Sequence, residues 1–238
     1  MKKLLKLLML TVVAAGLVLA VGCGGKTETK DQSSNQAPTT AKEEAAKEET
    51  VNGVTKANPI LVDKQAGTVT VLAQVNGKYL YEPTRHGVVT ETGKNGEKPI
   101  FKAFADPVAF YNGLVEIGAK PGDNMTMENK DKTHVAGDAL DVTVTWNGAG
   151  KDYKLDEVIK ESNGKPLDIR FGGNLKNAQE KKTGCLICLD SCPVGITSNS
   201  TYTYGAVEDR KEVGFTGNKE VLPADGTFLA ITLKVKKN

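Results

Sequence analysis

Three cysteines lie close together in the second half of the chain and are the residues best suited to chemistry. Cys185, Cys188 and Cys192 fall within eight residues, whereas the whole chain contains four cysteines. Their spacing, C-x2-C-x3-C-P, reproduces the last three cysteines of the bacterial ferredoxin pattern C-x2-C-x2-C-x3-C-P. Lys182 stands where that pattern has its first cysteine, and lysine does not ligate iron. The spacing therefore indicates a thiol site that is incomplete as a four-cysteine cluster.

Several kinds of site are compatible with these thiols. An iron–sulfur cluster would add a non-protein ligand, and a single soft metal ion would add one nitrogen ligand. The chain has two histidines, His86 and His134, either of which could supply that nitrogen, and we predict His86. Alternatively, Cys185 and Cys188 form a C-x-x-C redox pair, a spacing that can lower a thiol pKa. A disulfide beside one buried thiol would instead be purely structural.

His86 also has a second interpretation. It follows Arg85 in a segment that ends a probable strand, so the two side chains could bind an anion or a metal. The chain lacks the G-x-S-x-G, H-E-x-x-H and C-x-x-C-H motifs. Because no nucleophile has an assignable base, the sequence does not predict an enzyme.

The elements that would position these side chains are mainly strands. Alternating apolar and polar residues or β-branched runs predict strands at 60–62, 68–75, 140–146, 167–171 and 227–235. The clearest helix covers about 106–117, because Asp106 is a good N-cap, Pro107 suits the first helical position and Gly118 follows the last turn. The fold class predicted is a β-rich α+β single compact domain of antiparallel or mixed strands.

The N-terminus has the organisation of a bacterial lipoprotein signal. Three lysines precede an apolar run, Leu7 to Val21, which has the length of a signal-peptide core and is short for a membrane span. Small residues then precede Cys23, although Ala20 stands where the lipoprotein pattern prefers leucine. We expect residues 1–22 to be a cleaved signal peptide and Cys23 to be lipidated, which anchors the protein outside the cytoplasm at the bacterial cell membrane.

The rest of the chain divides into a linker and a domain. Residues 23–58 are rich in Lys, Glu, Thr and Ala, lack aromatic residues and are predicted to be a disordered tether. Residues 59–238 are long enough for a core of their own. The net charge of +2 is spread along the chain without a basic stripe, and aromatic residues make up 5%. We therefore predict contact with membrane lipid through Cys23 and no nucleic-acid partner.

Three segments resemble the YdjY-type domain family. They are the cysteine segment 184–196, the segment 83–89 in which His86 precedes an apolar pair, and the helix end 114–122. The resemblance extends over most of the region from Pro59 to the C-terminus. It implies a ferredoxin-like or iron–sulfur label, which rests on the cysteine spacing, and it implies no established activity.

Two hypotheses about function follow. In the first, the protein is a membrane-anchored lipoprotein whose three-cysteine loop binds a metal or an iron–sulfur cluster for electron transfer or redox work, with a redox protein as partner. Cys185, Cys188, Cys192 and His86 are then the site residues. In the second, the protein is a non-catalytic binding module of the cell envelope with a structural disulfide.

Overall fold

Strands provide most of the regular structure in residues 49–237, the part of the chain that the computed structural model describes. The strands are β1 (Ile60–Asp63), β2 (Thr68–Val75), β3 (His86–Thr90), β4 (Phe101–Ala103), β5 (Leu140–Thr145), β6 (Tyr153–Lys154), β7 (Ile159–Glu161), β8 (Ile169–Arg170), β9 (Cys185–Cys188), β10 (Thr197–Asn199), β11 (Phe215–Gly217) and β12 (Phe228–Val235). The helices are α1 (Pro107–Glu116), α2 (Leu155–Val158) and α3 (Leu175–Lys181), and a 3-10 helix spans Gly77–Leu80. This strand-rich content agrees with the predicted β-rich α+β class.

Ten of the strands form one mixed sheet. Their order is β6-β5-β12-β2-β4-β3-β9-β10-β8, and β1 pairs with β2 outside this path. Most neighbours run antiparallel, but β3 is parallel to β4 and β9 is parallel to β10. Strands β7 and β11 form a separate two-stranded sheet.

The long strands β2 and β12 pair with each other and contribute apolar side chains to the core. Their antiparallel register runs from Phe228 opposite Gln74 to Lys234 opposite Thr68. Val69, Val71 and Ile231 are buried in the main core. Removing such side chains from water is the main favourable contribution to folding. Both strands were predicted, because a long β-branched pattern is a strong local signal.

Helix α1 begins and ends where the sequence predicts. Asp106 Oδ1 accepts hydrogen bonds from the backbone N–H groups of Val108 and Ala109, at 2.9 and 3.0 Å. These bonds satisfy donors that have no partner within the helix. The helix packs closely on the strands, since a Cβ at Gly113 would lie 2.9 Å from a methyl group of Val62. No helix within residues 49–237 has the length and apolarity needed to cross a membrane.

Two residues before the predicted domain boundary at residue 59 already pack on the sheet. Val51 and Val54 bridge to each other and are buried against Leu72 and Ala230. The predicted linker is therefore wrong for residues 51–54. Two valines among polar residues are too weak a pattern to indicate core, and the sheet provides the apolar surface that they cover. The predicted signal peptide 1–22, Cys23 and the linker up to residue 48 lie outside the described residues.

Candidate functional site

Strand β9 carries two of the three cysteines and lies inside the sheet, between β3 and β10. The predicted three-cysteine loop is therefore wrong for Cys185 and Cys188. Leu186 and Ile187, which separate them, are buried core residues. A continuous apolar run of this kind suits a strand covered on both faces. Cys192 alone lies in an irregular segment, which follows the strand.

An irregularity in β9 places Cys185 and Cys188 in one cluster. Val88 pairs with Ile187 while the next residue of β3, Val89, pairs with Cys185, so β9 has one residue more than its partner here. Residues three apart on a regular strand point to opposite faces, and one extra residue reverses this relation. The structure accordingly packs Cys185, Cys188 and Cys192 together with Val89 in one buried group.

The pKa values of the three thiols are shifted in different directions. Hydrogen bonding with Cys188 lowers the pKa of Cys185 well below its ordinary value against the effect of burial, and His86 lowers it further. Hydrogen bonding with Cys185 and Cys192, together with burial, raises the pKa of Cys188. Cys188 also lowers the pKa of Cys192, with help from the charge of Arg85. Cys188 thus interacts with both Cys185 and Cys192, and its pKa shifts in the opposite direction to theirs; we call these three residues the cysteine row.

His86 is the histidine that belongs to this site. It is the first residue of β3 and is opposite Cys188 in the register of the two strands. Its Nδ1 lies 3.9 Å from Cys185 Sγ. The ring nitrogen Nδ1 of His134 instead lies 2.6 Å from the backbone oxygen of Ser200. The structure therefore brings together the four predicted residues Cys185, Cys188, Cys192 and His86.

Arg85 and Asp190 form a buried ion pair beside the thiols. Arg85 Nε donates a hydrogen bond of 3.0 Å to Asp190 Oδ1, and the pair is 5% and 0% exposed. Burial raises the pKa of Asp190, and the guanidinium opposes that shift. Burial alone would lower the pKa of Arg85, but Cys192 and Asp190 more than reverse this effect. The Arg85 guanidinium thus favours the ionised forms of both the Asp190 carboxyl and the Cys192 thiol.

Tyr204 covers the same corner of the molecule. Its ring packs against the cysteine group. The Arg85 guanidinium carbon lies 4.2 Å from the ring centroid, and Lys130 Nζ lies 4.4 Å from it. Cations on aromatic faces are attracted by the ring quadrupole. The tyrosine thus separates the buried Arg85 and the cysteines from the more exposed Lys130.

The segment after Cys192 approaches the thiols closely. Asn174 Nδ2 donates to the backbone oxygens of Cys192 and Gly195, at 3.1 and 3.2 Å. A Cβ at Gly195 would lie 2.9 Å from Cys188 Sγ, so only glycine fits this approach. Two buried hydroxyls in the described residues have no well-formed hydrogen bond, those of Thr183 and Ser198. Both border the site, because Thr183 lowers the pKa of Cys185 and Ser198 Oγ faces Gly195.

The arrangement does not fit a preformed metal centre. Within residues 49–237, no group of three or more His, Cys, Asp or Glu side chains is arranged so that it could hold a metal ion. The described part of the chain contains three cysteines, so it lacks the fourth thiolate that an iron–sulfur cluster usually has. Neither a metal nor an iron–sulfur cluster therefore gains support from this geometry. All three cysteines are free thiols.

Comparison with known proteins identifies the family. The YdjY domain family model matches residues 60–234, almost the whole of the described domain. The chain belongs to the YdjY domain family. It is 57% identical over 193 residues to the protein YdjY of Escherichia coli (strain K12), which covers 81% of this chain and 86% of that protein. No solved structure matches the chain.

Membership of the YdjY family confirms the resemblance inferred from the three segments. Asp190 and Tyr204 are site residues that the sequence analysis missed. The sequence could have indicated Asp190, because it is an acidic residue within an apolar stretch between two cysteines. A buried acid of this kind needs a cationic partner. No sequence pattern indicates Tyr204, since only the folded chain places its ring over Arg85.

Proposed function

We propose that this YdjY protein is a lipid-anchored, extracytoplasmic redox protein that exchanges disulfides through its three buried thiols. The observation that carries the proposal is the packing of three free, buried thiols, those of Cys185, Cys188 and Cys192, in one group beside His86. Thiolates are the attacking species in thiol–disulfide exchange. A row, in which the central sulfur can bond to either neighbour, suits successive exchange better than it suits metal coordination.

The exchange starts at Cys185 and ends with a Cys188–Cys192 disulfide. The Cys185 thiolate attacks a small organic disulfide R–S–S–R, forms a mixed disulfide and releases R–S⁻. Cys188, after losing its proton, attacks Cys185 Sγ and releases the second R–S⁻. The Cys192 thiolate then attacks Cys188 Sγ, which frees Cys185. In total, two protein thiols are oxidised and R–S–S–R is reduced to two R–SH.

The geometry of β9 explains why the disulfide moves on to Cys192. Three residues of extended strand span roughly 10 Å, whereas the Cα atoms of a disulfide lie within about 7 Å. The irregularity in β9 shortens this separation, but a Cys185–Cys188 bond remains strained. Strained disulfides are more easily reduced. Cys188 and Cys192 instead lie on either side of a bend in the backbone, at residues 189–190.

The proposed location follows from the N-terminal segment. Lipid on Cys23 would hold the domain at the outer side of the membrane, where disulfide chemistry is permitted. Metabolic labelling with a radioactive fatty acid tests this anchor in the full chain. We expect label in the wild-type protein and none in Cys23→Ala, and label in neither would contradict the anchor.

The redox proposal is tested with the full chain purified anaerobically in detergent. Treatment with 2-hydroxyethyl disulfide, followed by peptide mapping, should yield a Cys188–Cys192 disulfide and a free Cys185 thiol. Cys185→Ser should react at least tenfold more slowly, because it lacks the first thiolate, and Cys192→Ser should stop at a Cys185–Cys188 or mixed disulfide. Thr50→Ser, at an exposed hydroxyl, serves as a control with wild-type behaviour.

Three outcomes contradict the redox proposal. Stoichiometric iron, zinc or copper in the purified protein would show that the site binds a metal. Iron accompanied by acid-labile sulfide would identify an iron–sulfur cluster. A disulfide that forms once and resists reduction in the folded protein would favour the second hypothesis, a binding module of the cell envelope. Thiols that remain unreactive in the folded protein would exclude any exchange.

A further inference from the structure

A cavity in the described domain adjoins the thiol site through one side chain, that of His86. It has a volume of about 810 Å³, which is in the range of small-molecule sites. His86 lines it, and the same residue places Nδ1 3.9 Å from Cys185 Sγ. The cavity therefore reaches the side of the cysteine row on which the proposed exchange begins.

Charged side chains of both signs line this cavity, and three of them form no ion pair within residues 49–237. Glu82 pairs with Lys78 and Glu212 pairs with Arg210. Within residues 49–237, by contrast, no ion pair involves the other charged side chains of the wall, which are Lys98, Lys211 and Glu208. The wall thus offers two ammonium groups and one carboxylate to a ligand.

Lys211 is held at the cavity by an unusual backbone conformation. Its φ is +53°, in the left-handed region that residues other than glycine seldom adopt. The surrounding turn is fixed by backbone hydrogen bonds, from Arg210 N to Gly205 O at 2.9 Å and from Glu212 N to Ala206 O at 2.7 Å. Strain of this kind is retained where the surrounding structure enforces it, often at functional sites.

We propose that this cavity binds a small zwitterionic disulfide of the amino-acid type, with its carboxylates on Lys98 and Lys211 and an ammonium group on Glu208. This inference rests on the proposed function, since it names the class of R–S–S–R that Cys185 attacks. A zwitterionic ligand can form ion pairs with all three of these side chains, whereas a simple anion would be repelled by the Glu208 carboxylate. His86 lies between the bound disulfide and Cys185 and must give way for the exchange.

The test compares two disulfides on the same protein. Cystine carries carboxylates and ammonium groups, and 2-hydroxyethyl disulfide carries neither. In the full chain, Lys98→Met and Lys211→Asn should each slow thiol oxidation by cystine roughly fivefold and leave oxidation by 2-hydroxyethyl disulfide unchanged. Asparagine tolerates a positive φ, so the second variant preserves the turn. Lys94→Met, an exposed lysine that does not line the cavity, is the matched control.

Equal effects of the variants on both disulfides, or no effect on cystine, would overturn the cavity proposal. Calorimetric titration of cystine into the full-length Cys185→Ser protein measures binding without reaction. Binding that weakens with Lys98→Met, in a protein whose thiols fail to react with 2-hydroxyethyl disulfide, would retain the cavity and reject the exchange. Absence of cystine binding, together with normal oxidation by 2-hydroxyethyl disulfide, would reject the cavity proposal and retain the exchange.

Discussion

Single side chains balance the charges at the cysteine row. His86 helps to lower the pKa of Cys185 and Arg85 helps to lower that of Cys192, while the pKa of Cys188 is raised. Burying an isolated charge is costly, so each thiolate needs a nearby donor or cation. Asp190 fixes Arg85 in place and also accepts a hydrogen bond of 3.0 Å from the backbone of Gly205. The electrostatics of the site therefore depend on one buried ion pair.

Removing Arg85 should destabilise the protein strongly. In Arg85→Ala, the Asp190 carboxylate loses its partner inside the protein, and we expect a loss of about 3–5 kcal/mol in the free energy of unfolding. The matched control is Arg170→Ala, because Arg170 pairs with Asp168 at the surface, where such pairs contribute at most about 1 kcal/mol. Urea denaturation of both variants measures the difference. Equal losses would show that the buried pair has no special role.

At the scale of elements, β9 and the bend that follows it build the site. The extra residue in β9 aligns Cys185 with Cys188, and the bend returns Cys192 to them. Strand β10 then pairs parallel with β9, with Thr197 opposite Ile187. Because a parallel neighbour must follow a reversal of the chain, the close approach at Gly195 is part of the connection between the two strands.

Gly195→Ala should perturb this connection. The new Cβ would lie 2.9 Å from both Cys188 Sγ and Ser198 Oγ, so we expect a loss of about 1–3 kcal/mol and altered thiol reactivity. Gly214→Ala is the control, since its Cβ would meet only Pro83, at 3.5 Å. Thermal unfolding and thiol titration measure the two effects. A Gly195→Ala protein as stable and as reactive as the wild type would show that the bend adapts freely.

At the scale of the whole molecule, the segment before β1 forms part of the domain. Val51 and Val54 cover the sheet at Leu72. Lys56 Nζ also lies 4.9 Å from the ring centroid of Phe104 and 5.0 Å from that of Phe228. The chain is therefore attached to the sheet before the first strand begins, and any tether to the membrane ends by residue 51.

A version of the protein that begins at Pro59 should be less stable than one that begins at Glu49. The shorter version exposes the apolar surface that the two valines cover, so we expect a loss of about 2 kcal/mol in the free energy of unfolding. Val51→Ser with Val54→Ser in the longer version should reproduce most of this loss, whereas Thr50→Ser, at an exposed residue, should not. Equal stability of the two versions would place the domain boundary at the predicted residue 59.

The sequence by itself determined the local features of this protein. The caps of α1, the long strands β2 and β12 and the family were predictable, because each depends on residue type and short spacing. Tertiary structure alone decided the rest. An apolar C-x-x-C segment becomes a strand only when β3 and β10 are present to pair with it.

Long-range pairing also decided the chemistry of the site. Arg85 and Asp190 are 105 residues apart, and His86 and Cys185 are 99 apart. No local pattern specifies such contacts, because they depend on how the strands are ordered in the sheet. The cysteine spacing alone suggested a metal-binding loop, whereas the fold produced a group of buried thiols whose pKa values are shifted by each other and by His86 and Arg85.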